Sequence, residues 1–169
     1  MMNIDKLIRE IIPPNDYQHR NGFNNVPILN QLTADEKLQI EDILIKMLLS
    51  ASEQEIDTLI VETLAYLGSN KSVPILNILL GSCSDEITKL VISTSIFEIN
   101  DDENMIETAI NITRNIDDKS DAYYIYKLTS AFYYLIKFKS KRVNSFIEEY
   151  TKHKEYLVSY NAKQVLNQK

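Results

Sequence analysis

The sequence predicts an all-α fold, a superhelix of about four stacked helix pairs behind an N-terminal helical cap, and three observations carry that prediction. The first is an internal repeat: SEQEIDTLIVETLAYLGSNKSVPILNILL from Ser52 and SDEITKLVISTSIFEINDDENMIETAINI from Ser84 share one grammar at an offset of 32 residues. Each copy opens on Ser and acids, runs as an apolar helix to Leu67-Gly68 or Ile99-Asn100, turns, and resumes as a second apolar helix. A period of this size marks a solenoid, in which one unit cannot bury its apolar face alone and its neighbours complete the core. The second is composition. With 3 Gly, 4 Pro and no Trp against abundant Leu, Ile, Lys, Glu and Asn, the chain suits helices joined by short turns. The third is a series of helix start and stop signals at matching intervals.

In chain order, Ile4, Leu7, Ile8 and Ile11 stand at helical spacing, so Asn3 to Ile12 reads as a short helix stopped by Pro13-Pro14. Residues 13–32 mix Pro, Asn and Gly with aromatic residues and read as an ordered loop, completing a cap over 1–32. The pentapeptide VPILN occurs at Val26 and again at Val73, where a repeat helix begins, so its first copy is expected to start a degenerate helical turn. Thr33-Ala-Asp-Glu36 is a capping-box sequence opening a helix to about Leu49. Ser52-Glu-Gln-Glu55 reads as a second box, for a helix ending at Gly68, which suits a left-handed C′ position. These form the pair 33–68. In the pair 72–99, Ser72 is expected to cap the first helix, with Pro74 in its first turn and Gly81 beyond its end; Ser84 is expected to cap the second. There Ile87, Leu90, Val91, Ile92, Ile96, Phe97 and Ile99 leave little polar face, which predicts a central helix buried on several sides. The third pair spans 103–138, with Ser120 as the inner cap, and the fourth spans 141–166.

The 169 residues suit one domain, and 44% hydrophobic with 25% charged residues is ordinary for a globular chain. Cys83 is the only cysteine, so neither an intramolecular disulfide nor a cysteine-based zinc site is expected, which fits a reducing cytoplasm. No leader-like segment opens the chain and apolar runs such as Ile43 to Leu49 are too short to span a bilayer, so neither export nor membrane insertion is expected. The net charge of -6 is uneven: residues 1–135 hold 10 Lys/Arg against 21 Asp/Glu, whereas residues 136–169 hold 8 against 3. An acidic surface repels nucleic acid and steers basic partners.

Two surfaces stand out. If the pairs stack in parallel, the turns within pairs share an edge that gathers Glu53, Glu55 and Asp57, then Asp85 and Glu86, then Asp117, Asp118 and Asp121. Acids in a first helical turn also serve capping and the macrodipole, so a partner role rests on the ridge as a whole. The other surface is a tyrosine cluster, Tyr123, Tyr124, Tyr126, Tyr133 and Tyr134. Tyr123, Tyr126, Ser130, Tyr133 and Tyr134 fit one stripe, opposite Leu128, Ala131, Phe132 and Leu135, and Tyr66 on an earlier second helix extends it. Exposed tyrosines of this kind are interface anchors. The basic stretch Lys137 to Arg142 reads as a solvated helix end. No catalytic residue, metal ligand set or cofactor motif is expected: His19 and His153 stand at opposite ends of the chain, and no phosphate-binding or nucleophile-elbow motif occurs.

The run LAYLGSNKSVPILNILL followed by SDEITKLV resembles the short bacterial form of the HEAT repeat. Leu64, Ala65, Leu67, Gly68, Val73, Pro74, Leu76, Leu79, Leu80, Glu86 and Ile87 fall on that repeat's packing and capping positions, over about 60 residues. The resemblance implies a binding scaffold and transfers no catalytic residue. Small acidic solenoids of this kind resemble the immunity proteins that neutralise contact-dependent or polymorphic toxins. That likeness implies a basic, nuclease-type toxin domain as partner, covered at its active site, in a heterodimer without nucleic acid or membrane. A HEAT-like adaptor or chaperone for a regulatory or cofactor-bearing protein is the alternative.

Overall fold

A computed structural model describes residues 4–52, 55–117 and 121–168, and it is all-helical, with no strand among the described residues. Its helices are α1 (Ile4–Ile11), α2 (Tyr17–Arg20), α3 (Val26–Leu29), α4 (Ala34–Ser50), α5 (Thr58–Tyr66), α6 (Val73–Ser82), α7 (Glu86–Asn100), α8 (Asn104–Ile116), α9 (Tyr124–Leu135), α10 (Lys141–Glu149) and α11 (Tyr156–Asn167). Short 3₁₀ turns at Asn70–Ser72, Ile136–Phe138 and Tyr150–Lys152 tighten three of the connections.

Local chemistry explains most of these boundaries. Thr33 Oγ1 accepts from the Glu36 N–H at 3.3 Å while Glu36 Oε2 accepts from the Thr33 N–H at 2.8 Å, which is the expected capping box. Both copies of VPILN open helices with proline in the first turn, where its missing N–H has no intrahelical acceptor to lose. Gly68 (φ +66) takes the left-handed position past α5. The Ser69 N–H donates to Leu64 O at 3.0 Å and the Gly68 N–H to Ala65 O at 2.9 Å, a Schellman closure. At the matching end of α7, which runs to Asn100 as expected, the left-handed residue is Asp101 (φ 56). Acidic and amide side chains tolerate that region better than most. A Cβ at Gly68 would meet nothing within 4 Å, so only the backbone conformation opposes it. Gly68→Ala is expected to lower stability by about 1 kcal/mol in urea unfolding, without change in the m-value.

Several expected caps move. Asp57, not Ser52, starts α5, accepting from the Leu59 N–H at 3.0 Å; Ser52 donates instead to Glu55 Oε2 at 3.1 Å. Asp85, not Ser84, starts α7 through the Thr88 N–H at 2.8 Å. Ser72 makes no cap bond and donates to Ser69 O at 2.8 Å, closing a 3₁₀ turn, and Gly81 lies inside α6, which continues to Ser82. Ser120 lies outside the described residues.

The position of α7 matches its sequence. Every residue from Leu90 to Ile96 is buried, and the helix packs against α5, α6, α8 and α9. Two of its buried hydroxyls turn inward on their own helix: Ser93 donates to Lys89 O at 2.7 Å and Thr94 to Leu90 O at 2.9 Å. Around it α5, α7, α9 and α11 contact one another in succession, while α4 meets α6 and α8 meets α10. One apolar cluster runs through all of these, from Leu7 to Val165. The N-terminal loop is fastened to α5 by polar groups. Arg20 grips Asp57 with both terminal nitrogens (3.2 and 2.7 Å), and buried Asn25 donates to Thr63 Oγ1 (2.8 Å) and Ile11 O (3.2 Å). Among the described residues no helix is long and apolar enough to cross a membrane.

Candidate protein-binding face

The acidic ridge is largely consumed by the fold. Asp57 caps α5 and is held by Arg20, with both side chains mostly buried. Asp85 caps α7 through the backbone and hydroxyl of Thr88. Glu86 and Asp121 share one cation: Lys127 Nζ lies 3.2 Å from Glu86 and 2.6 Å from Asp121, bridging α7 to the start of α9. That contact holds the Asp121 carboxyl below its ordinary range, together with the Tyr123 N–H, and holds the Lys127 ammonium above its own. Lys127 was not legible as part of this edge, because its partners lie 41 and 6 residues away. Glu55 is exposed beside Ser52, whereas Glu53 and Asp118 lie outside the described residues.

Asp117 ends α8 and turns inward. Its Oδ1 stands 3.8 Å from His153 Nε2, and the His153 ring stacks on Tyr150 with centroids 6.1 Å apart. Burial, then the Asp117 and Glu149 charges, push the Tyr150 hydroxyl up to about 12. An unfolded tyrosine ionises near 10, so above that pH the unfolded chain has lost a proton the folded one keeps. Stability is therefore expected to be full below about pH 10 and to fall as pH rises from there to about 12. Tyrosinate absorbance, with urea unfolding at each pH, should show Tyr150 ionising among the last of the 10 tyrosines.

The tyrosine stripe is where the surface is open. Tyr123, Tyr126 and Tyr133 of α9 are 68%, 65% and 42% exposed, while Leu128, Ala131, Phe132 and Leu135 are buried. Tyr134 leaves the expected stripe. It is half-buried against the core, because residues adjacent in a helix diverge by about 100°. The stripe is then extended by residues that the sequence did not join to it: Tyr156, Leu157 and Tyr160 on α11 are 72%, 47% and 45% exposed. The Tyr156 and Tyr160 rings stack with centroids 5.7 Å apart, and Tyr133 Oη donates to Asn161 Oδ1 at 3.0 Å, tying the two helices' exposed faces together. Tyr66 on α5 is 48% exposed, its hydroxyl fixed on Asn30 Oδ1 at 2.6 Å. Single exposed apolar side chains are ordinary, but a connected group of large aromatic ones marks an interaction surface.

Among the described residues no cluster of three or more His, Cys, Asp or Glu is placed to hold a metal ion. Cys83 is buried at the end of α6. Compared with protein-family models, with curated proteins and with solved structures, the chain matches none.

Proposed function

We propose that this chain is a protein-binding scaffold of four HEAT-like helix pairs whose second helices, α5, α7, α9 and α11, present the binding face. The observation that carries the reading is the connected group of exposed tyrosines on α9 and α11. Tyrosine supplies large contact area with few rotatable bonds and a hydroxyl that stays wet, so such a surface loses little entropy on docking. The succession of contacts from α5 through α7 and α9 to α11 favours the stacked-pair arrangement. The net charge of -6 favours a basic partner. A toxin domain of the nuclease type, neutralised by its immunity protein, is the partner class that joins these features.

The test is affinity capture by the tagged chain from its own host, washed at low and high salt. A basic protein encoded beside it and released by salt is expected. A neutral partner held equally under both conditions would overturn the electrostatic part and assign an adaptor instead.

A further inference from the structure

A cavity of about 380 Å³ is lined by the loop from Phe23 to Val26, by α5 from Leu59 to Tyr66, by Glu98 of α7 and by Lys137. Phe23, Leu59 and Tyr66 supply its apolar walls; Glu62, Glu98 and Lys137 supply its charges. Lys137 pairs with Glu62 at 3.5 Å and stands 5.5 Å over the ring of Tyr134. Glu98 is exposed and makes no ion pair among the described residues. The cavity thus carries one carboxylate more than it has cations. The lysine seated between carboxylate and tyrosine ring is a small example, built into the fold, of how this surface treats a cation. Its volume falls within the ~300–1,000 Å³ of ordinary ligand sites, and the Tyr66 ring is held in place by the bond to Asn30.

Resting on the scaffold reading, we infer that this cavity is the seat for an arginine side chain of the partner. The guanidinium would lie between the Phe23 and Tyr66 rings with its N–H fork toward Glu98. A planar cation that pairs with carboxylates and stacks on aromatic rings fits this lining better than a compact ammonium does. An anionic side chain would face Glu98 without a free cation, since Lys137 is engaged by Glu62.

The test uses the full chain, labelled with ¹⁵N and titrated with Nα-acetyl-arginine amide and separately with Nα-acetyl-glutamine amide. The expected result is saturable amide shifts confined to the surroundings of Phe23, Tyr66 and Glu98 with the arginine probe. The neutral probe should bind at least ~10-fold more weakly. Glu98→Gln should weaken the arginine probe by about 5- to 10-fold, and Tyr66→Leu, which removes the ring, should do the same. Scattered, non-saturating shifts, an equal response to both probes, or full affinity in Glu98→Gln would overturn the assignment. Such a failure is distinct from failure of the scaffold reading. Arginine binding without protein capture would overturn the scaffold alone, and capture that survives Glu98→Gln without arginine binding would overturn the cavity alone.

Discussion

Phe132→Ala is expected to lower the unfolding free energy by about 4 kcal/mol, the largest loss from any single truncation argued here. Phe132 is fully buried on the inner side of α9, and its ring lies 5.2 Å from that of Tyr150. Tyr150 in turn meets Phe146 of α10 at 5.4 Å, so three rings join α9 to α10 and to the turn that leads into α11. Removing the Phe132 ring abandons its transfer free energy and leaves a cavity that flanking helices fill only in part. Against a total stability of about 5–15 kcal/mol this is a large fraction. Because these rings join α9 to α10 and to the turn before α11, the damage should fall on α10 and α11 first. Urea unfolding followed by circular dichroism should show the lower midpoint. Hydrogen exchange should show faster opening of α10 and α11 than of α7. A loss under ~1 kcal/mol would mean that this ring does not hold the C-terminal helices to the rest.

The features legible in the sequence were those with local causes. Thr33 and Glu36 satisfy each other across one turn, Gly68 supplies the single left-handed residue that a Schellman closure needs, and VPILN opens a helix in both places because proline fits a first turn. The burial of α7 was legible because between Leu90 and Ile96 no charged residue occurs and the only polar ones are the small Ser93, Thr94 and Ser95. The misplaced caps share another cause. Near both Ser52 and Ser84 an aspartate also stands in reach of the first free N–H groups, and where the helix begins is decided by which residue packing allows to stay extended. The acidic ridge was read without the cations that meet its acids. Arg20 and Lys127 reach Asp57, Glu86 and Asp121 from other elements, and no period in the sequence encodes those meetings. The tyrosines show the same division. The spacing of Tyr123, Tyr126 and Tyr133 within one helix was readable, whereas their union with Tyr156 and Tyr160 needs α9 and α11 side by side.

Replacing Tyr126 and Tyr160 together by alanine is expected to weaken binding of the captured basic partner by at least 100-fold while leaving stability within about 0.5 kcal/mol. The two effects separate because of what these side chains do at home. Tyr126 is 65% exposed and Tyr160 45%, and among the described residues neither hydroxyl has a hydrogen-bond partner, so truncation leaves no buried group there without one. Tyr133 would be a poorer choice, since its hydroxyl donates to Asn161 and helps hold α9 to α11. At an interface, each aromatic anchor removed from a desolvated centre costs on the order of 2 kcal/mol, and two on adjacent helices test the face rather than one contact. Tyr126→Phe with Tyr160→Phe should keep most of the affinity, because the ring area remains. The salt dependence of binding should keep its slope in the alanine variant, because neither substitution changes a charge, whereas the affinity falls at every salt concentration. Isothermal titration at two ionic strengths, with thermal unfolding as the control, measures all of these. An alanine variant that binds within 3-fold of the parent would remove the tyrosine face from the interface.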